Sequence, residues 1–249
     1  MSLKNSHYFK LSIFLLLTVL FNYSCAPSSK VFALNDSLEV KSKLLYEENF
    51  DVALDDWQVE QMDGGSTILK DSKLEIDDVA GCTIWYKKEL SGPIMIEYDT
   101  YIIDEGGAND RVSDMNCFWM AIDVESPENL FENSASRQGK FSNYDSLRLY
   151  YMGVGGHDNS KTRFRRYVGN GERPLLEEHD FTKNKYLLEA NKNYHIRIIA
   201  YNNVIQYYRN GVKMINLYDD NPYTSGHFGF RTVNNHMTID NFKVYRLKQ

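Results

Sequence analysis

The stretch Tyr144–Gly169, YDSLRLYYMGVGGHDNSKTRFRRYVG, consists of two alternating segments joined by a glycine-rich polar loop. In the first segment Leu147, Leu149 and Tyr151 occupy every second position, and in the second Phe164 lies between two arginines. Because successive side chains of a strand point to opposite faces of a sheet, this pattern predicts two antiparallel strands. We expect the apolar set to face the core.

The same alternation predicts a basic patch on the opposite face of the two strands. Its members are Arg148, Tyr150, Arg163, Arg165 and Tyr167. Arginine can form two parallel hydrogen bonds with a carboxylate or a sulfate. Arg148, Arg163 and Arg165 are therefore predicted to bind an anionic group, the alternative being cross-strand pairing with acidic residues. Arg166 should point the other way and serve the structure.

Composition restricts the classes of function. The chain has 249 residues, of which 43% are hydrophobic and 14% aromatic, so it can bury a core. Strands favour aromatic residues, and so do sugar-binding faces. The net charge of −6 argues against a general affinity for nucleic acid.

The first residues have the pattern of an export signal. A basic start precedes the apolar run 11–21, which is too short for a membrane span, and Cys25 follows a small residue. This arrangement resembles a bacterial lipoprotein signal, a plain cleaved signal being the alternative. We predict a signal peptide over 1–25, lipidation at Cys25 and a polar tether over 26–44. The protein would then be exported and held at the periplasm or cell surface only through its lipid anchor.

Two further cysteines, Cys82 and Cys117, lie in apolar strand patterns. In an exported protein they can form a disulfide, or they can be small buried hydrophobic residues, which their surroundings favour. No Cys/His spacing indicates zinc. The acidic loop 104–110 has oxygen groups suited to a structural calcium ion, but its spacing matches no EF-hand, and no other cofactor is predicted.

The remainder of the chain predicts one domain built from strands. Ile94–Ile103 alternates cleanly, and the step Asn210-Gly211 between two alternating segments indicates a tight hairpin. A slip in the apolar pattern indicates a bulge near Asp240-Asn241, and the long excursion 127–140 is typical of a functional loop. Many short strands without helical crossovers predict an all-β antiparallel sandwich over residues 45–249.

The C-terminal third resembles the closing strands of concanavalin A-like lectin/glucanase jelly rolls, with its Asn-Gly hairpin and final IDNFKV strand. The segments NCFWMAID (116–123) and FGFRTVNNHMTIDNFKVYRL (228–247) resemble an uncharacterised family of exported bacterial proteins associated with polysaccharide degradation. The resemblance implies a jelly roll with a curved sheet whose concave face holds a glycan. The E-x-D-x-x-E strand of many such glucanases is absent, because Thr100 to Ile102 follow Glu97-Tyr98-Asp99.

Several residues are candidates for chemistry. His157, in a glycine-rich loop, and His236, just before the last strand, suit general acid–base catalysis near neutral pH. The alternatives are a polar loop tip for His157 and, for His236, a turn formed by the neighbouring Asn234-Asn235. Tyr150 is the candidate acid. Asn235 is a candidate for bonding a sugar hydroxyl or a carboxylate. Trp119 and Tyr208 are candidate aromatic platforms for a sugar, with burial in the core as the alternative.

These features predict a carbohydrate-active protein that acts on an acidic, uronate-containing poly- or oligosaccharide. The leading hypothesis is a polysaccharide lyase that works by β-elimination. One alternative is a glycoside hydrolase or keto-sugar lyase that uses carboxylates such as Glu97, Asp99 or Asp123. The other is a glycan-binding lipoprotein without catalysis.

Overall fold

The computed structural model describes residues 30–249, which fold almost entirely into β-strands. The strands are β1 (Lys30–Asn35), β2 (Leu38–Glu48), β3 (Trp57–Gln61), β4 (Ser66–Lys70), β5 (Lys73–Asp78), β6 (Cys82–Tyr86), β7 (Leu90–Ser91), β8 (Ile94–Ile102), β9 (Met115–Asp123), β10 (Leu147–Gly155), β11 (Lys161–Val168), β12 (Asp180–Phe181), β13 (Asn193–Tyr201), β14 (Val204–Arg209), β15 (Val212–Tyr218), β16 (Ser225–Thr232) and β17 (Asn235–Lys248). Short helical turns are Leu130–Asn133, Ser134–Arg137, Phe141–Tyr144, Gly156–Asn159, Glu177–His179 and Asn184–Tyr186.

The strands form two antiparallel sheets. The first has the order β1-β2-β17-β8-β13-β14-β15, with β5 paired to β17 and β4 to β5. The second has the order β12-β11-β10-β9-β16-β6-β3, with β7 paired to β16. The predicted all-β antiparallel sandwich is therefore confirmed. The main core contains inward side chains of both sheets, such as Ile96 and Ile196 of the first and Trp119 and Phe230 of the second.

Two local predictions are also confirmed. Asn210 and Gly211 have positive φ and join β14 to β15 in a tight hairpin. The pairing of β17 with β8 shifts register after Asp240, and Asn241 has a φ of 53°, as expected for a bulge. Cys82 and Cys117 are both buried and free, in line with the non-disulfide alternative.

The tether prediction was wrong for residues 30–44. This segment forms β1 and most of β2, and β2 pairs with β17 at the edge of the first sheet. Leu34 and Val40 pack on Met95 and Ile199, outside the main core. Polar residues at alternate positions face solvent, which gave the segment its tether-like composition. The predicted signal peptide and Cys25 lie outside the described residues.

Residues 127–144 cross the outer face of the second sheet, and we call them the strap. Arg137, only 1% exposed, anchors it by donating to Glu60 of β3 and to Asp123 of β9, both fully buried. Tyr144 donates to Glu60 as well. The strap thereby covers part of a sheet face and leaves the remainder open. Within residues 30–249, no helix has the length and apolar character needed to cross a membrane.

Candidate functional site

A cavity of about 470 Å³ lies on the outer face of the second sheet, where β9, β10, β11 and β16 run side by side. Its walls are the segment before β9, the turn between β10 and β11, the end of the strap and the loop after β11. The lining residues are Arg111, Asp114, Asn116, Phe141, Tyr151, Gly153, Gly156, His157, Lys161, Arg163, Arg165, Tyr167, Arg173, Arg231 and Val233.

The register of β10 and β11 builds the floor of the cavity. Tyr151 lies opposite Arg165, and Gly153 lies opposite Arg163, so these four positions belong to one face. A Cβ atom at Gly153 would lie 2.2 Å from the Tyr151 hydroxyl. The tyrosine ring therefore rests across the glycine, and a larger residue there would displace it.

The cavity is strongly cationic although the chain is acidic overall. Six Lys and Arg residues line it, and Asp114 is the one carboxylate among the described lining residues. Three of the cations are paired: Arg111 with Asp114 and Asp158, Arg163 with Asp180, and Arg173 with Asp145. Lys161, Arg165 and Arg231 have no carboxylate oxygen within 4.0 Å among residues 30–249, although Asp180 and Asp78 act on them from longer distances. Unbalanced positive charge in a recess attracts anions.

A left-handed turn presents His157 at the rim. His157, Asp158 and Asn159 have φ values of 53°, 55° and 56°, a conformation that costs roughly 1–2 kcal/mol for each such residue. Asp158 accepts a bond from Arg111, and the Asn159 side chain exchanges two hydrogen bonds of 2.9 Å with the backbone of Leu188. These contacts hold the strained turn in place beside the cavity.

Arg163 connects this turn to the floor. Its Nε and Nη2 donate to the two oxygens of Asp180 at 3.0 Å each, and its Nη1 lies 3.0 Å from His157 Nε2. A guanidinium only donates, so His157 Nε2 accepts and carries no proton in this arrangement. Hydrogen bonds from Arg163 also lower the pKa of Asp180, so that this carboxylate stays ionised.

The tyrosines of the floor remain protonated near neutral pH. Burial raises the pKa of Tyr151 well above its ordinary value and that of Tyr167 to about 12. Tyr151, whose hydroxyl lies over Gly153, therefore presents a protonated hydroxyl to the cavity.

Arg111 fixes the wall opposite the strap. Its guanidinium donates to the carbonyls of Val233 and Asn234 and to Asp158. The predicted ligand residue Asn235 lies beneath, fully buried, and its amide donates to the carbonyls of Arg111 and Ser113. Asn235 thus supports the wall and does not line the cavity.

The sequence prediction placed Arg148 and Tyr150 in this site, and both need correction. Arg165 and Arg163 do line the cavity, but Phe164 and Tyr150 share the opposite, inner face. The Tyr150 hydroxyl donates to Asp219 at 2.6 Å. Arg148 stacks on the Tyr223 ring at 4.4 Å, beside Arg166, which points away from the cavity as predicted. Tyr150 is therefore not the acid of this cavity.

The two aromatic platforms are also corrected. Trp119 is fully buried between the sheets, packed on Tyr150 and Phe164. Tyr208 belongs to the first sheet, where its hydroxyl donates to Gln206. Trp119 therefore fills the core, the more common use of an aromatic residue in a strand, and the partly buried Tyr208 lies away from the cavity.

His236 lies behind the wall formed by Arg111 and does not line the cavity. Its Nδ1 contacts Asp110 at 2.7 Å, and it pairs along β17 with Asp77 of β5. Asp110, within the acidic loop predicted to bind calcium, accepts backbone bonds from Glu105 and Gly107. No group of three or more His, Cys, Asp or Glu side chains suited to a metal ion occurs in the described part of the chain.

Sequence reasoning missed Tyr151, Arg111, Arg173 and Arg231 as cavity residues. For Tyr151 the missing information was the register of β10 against β11. For Arg231 a signal existed, since it is a charged residue directly after the core residue Phe230 in an aromatic strand.

The family model described as "Domain of unknown function (DUF6250)" matches residues 76–242, from β5 to β17. The chain belongs to this family. The match spans β9, β10, β11 and β16, so every strand of the cavity floor lies within the family domain. Among curated proteins, none matches the sequence.

Solved structures share the fold of the DUF6250 chain. A protein of unknown function with a galectin-like fold from Bacillus subtilis is 19% identical, has a TM-score of 0.65 and covers 89% of this chain and 100% of its own. An endo-β-1,3-glucanase from Pyrococcus furiosus is 13% identical and has a TM-score of 0.55, and the match covers 88% of this chain and 98% of the glucanase. The carbohydrate binding module CBM66 from Bacillus subtilis is 14% identical and has a TM-score of 0.51, and the match covers 76% of this chain and 94% of the module. The expected jelly-roll architecture is thereby confirmed.

Proposed function

We propose that this protein is carbohydrate-active and that its cationic cavity binds an acidic sugar, which it cleaves by β-elimination. The observation that carries the proposal is the set of cations without carboxylate partners, Lys161, Arg165 and Arg231, around the protonated hydroxyl of Tyr151. The fold it shares with a glucanase and a carbohydrate binding module supports the sugar as ligand.

Elimination from a uronate has three requirements. The carboxylate must be neutralised so that the proton on C5 becomes acidic, a base must remove this proton, and an acid must protonate the leaving oxygen. The C4–O bond breaks as the C4–C5 double bond forms. Arg165 is assigned to the carboxylate, because it lies on the cavity floor and donates to a neutral acceptor, the carbonyl of Arg173.

Tyr151 is assigned as the acid. It is protonated at neutral pH, lies opposite Arg165 and is fixed over Gly153. His157 is assigned as the base. Its Nε2 lone pair faces Arg163 in the free protein, and a substrate carboxylate that takes over the Arg163 donor would release it. Binding and activation of the base would thus be coupled.

A hydrolase of the retaining type is disfavoured, because it needs two carboxyl groups about 5 Å apart. Asp114 is the one carboxylate of the described cavity lining. The candidates Glu97 and Asp99 lie on the other sheet with His195, and Asp123 is paired with Arg137 beneath the strap.

Binding without turnover is the second candidate. It is favoured by one observation, that both His157 Nε2 and Arg163 are already engaged, the latter by Asp180. Such a site would bind an anionic sugar but would have no free base to start the elimination.

The test is incubation with pectic, glycosaminoglycan and ulvan substrates. Turnover is measured as the absorbance of the unsaturated uronate product, and binding is measured by calorimetry. We expect Arg165→Met to lose binding and Tyr151→Phe to keep binding but lose turnover. Arg148→Met is the matched control, since Arg148 is on the opposite face of the same strand pair. Binding without the absorbance change selects the second candidate. The absence of both binding and absorbance change with every substrate refutes the proposal.

Export as a lipoprotein is also proposed, from the apolar run 11–21 and Cys25. A protein acting on a polymer too large to enter the cell needs to be placed outside it, which agrees with this location.

A further inference from the structure

On the outer face of the second sheet, the strap closes the side of the cavity at which Phe141 lies, so that a glycan chain cannot continue in that direction. Its residues Leu130, Phe131 and Tyr144 pack on Trp85 and Phe118 of the sheet, forming a second hydrophobic cluster. Arg137 fastens the strap from below through the buried carboxylates described above. Breaking a buried ion pair is costly, so the strap is a fixed wall of the cavity rather than a movable cover.

Arg231 lies where this wall meets the floor. It is 1% exposed, and its Nη1 donates to Thr83 Oγ1 at 3.1 Å and to the carbonyl of Gly139 in the strap at 2.5 Å. Two strap rings, Phe141 and Tyr144, lie 5.6 and 5.2 Å from its guanidinium carbon. Its Nη2 has no hydrogen-bond partner among the described residues.

A buried guanidinium with no carboxylate within 4.0 Å is an expensive arrangement, and the buried carboxylate of Asp78 acts on Arg231 only from a longer distance. The backbone and hydroxyl acceptors of Arg231 satisfy part of its donors but supply no negative charge. An anionic ligand in the cavity would supply a direct counter-charge, and a small shift of the side chain would bring the buried Nη2 to it as a donor. This site lies at the strap end of the cavity, beyond which the sheet face is filled by the second hydrophobic cluster.

We infer that the cavity receives the end of a glycan chain and that Arg231 recognises the carboxylate or sulfate of the terminal sugar. This inference rests on the proposed function and deepens it, because it specifies chain ends rather than internal segments as the substrate. A polymer lying across the sheet would have to pass through the strap. The chain therefore extends from the cavity only away from Phe141.

Stoichiometry tests the inference. The Tyr151→Phe protein, which is expected to bind without cleaving, is titrated with acidic oligosaccharides of increasing length from the pectic, glycosaminoglycan and ulvan substrates, and the number of protein molecules bound per chain is measured. We expect one protein per chain at every length. A number that rises with length shows internal binding and overturns the inference while leaving the proposed function intact. Absence of binding to all three series refutes the proposed function itself.

Two variants make the test specific. Arg231→Gln should weaken binding of acidic oligomers by about 10- to 100-fold, the loss expected for a charge-assisted hydrogen bond, and should leave carboxyl-reduced oligomers little affected. An equal loss for both ligands overturns the role of Arg231. Phe141→Ala changes a side chain that is 38% exposed, so the fold should persist. Opening this wall should raise the number of proteins per long chain above one, and an unchanged number counts against the strap as the barrier.

Discussion

Gly153 gives a sharp test of how the cavity floor is built. In Gly153→Ala the added Cβ would lie 2.2, 2.5 and 2.7 Å from the hydroxyl oxygen, Cζ and Cε1 of Tyr151. These distances are far below van der Waals contact, so the ring must move or the strand must shift. Overpacking of this kind costs about 1–3 kcal/mol of unfolding free energy. We expect a loss in this range, measured by urea denaturation, together with loss of turnover.

A double-mutant cycle assigns the cost to one contact. All three close atoms belong to Tyr151, so in a Tyr151→Ala background the alanine at 153 should cost almost nothing. The expected coupling energy is therefore about as large as the single-variant loss. Equal destabilisation by Gly153→Ala in both backgrounds would refute the packing of the ring across the glycine, and with it the placement of the tyrosine hydroxyl.

Three further predictions concern other parts of the molecule. Arg137→Met should cost about 3–5 kcal/mol in urea denaturation, because it leaves the buried carboxylates Glu60 and Asp123 without their cation; a loss under about 1 kcal/mol contradicts the anchoring of the strap. Burial raises the pKa of Glu97, but hydrogen bonds from His195 and Arg197 outweigh it and lower this pKa from 4.5 to about 2. The ionised Glu97 therefore stabilises the folded state fully above pH 4.5, and about 2–3 kcal/mol of this stabilisation is lost as the pH falls towards 2. Glu97→Gln should remove this part of the pH dependence of the urea midpoint. Cys25→Ser should abolish incorporation of labelled palmitate and release the protein from the membrane fraction, whereas retention in membranes argues against the lipid anchor.

The fold was largely predictable because its signals are local. The alternation of Ile94–Ile103 and the turn chemistry of Asn210-Gly211 each depend on a few neighbouring residues. The error over residues 30–44 has a physical cause as well. A strand at a sheet edge with one solvated face carries alternating polar residues, and over so short a length this composition is similar to that of a linker.

The site was only partly predictable, because its geometry depends on register. Alternation assigns residues of one strand to two faces but does not say which face of β10 matches which face of β11. Leu149 pairs with Tyr167 and Met152 with Phe164, so Phe164 lies on the face of Tyr150, and Tyr151 lies on the face of Arg165. The other sheet covers one face and the strap covers part of the other, so both faces carry buried apolar residues and the apolar pattern does not distinguish them.

The N-terminal hairpin has a practical consequence for preparing the protein. A recombinant chain starting at residue 45, the boundary that composition indicates, would lack β1 and most of β2. It would uncover Met95, Ile199, Tyr245 and Leu247 and leave β17 as an open edge, a combination that promotes aggregation. Expression should therefore begin before Lys30.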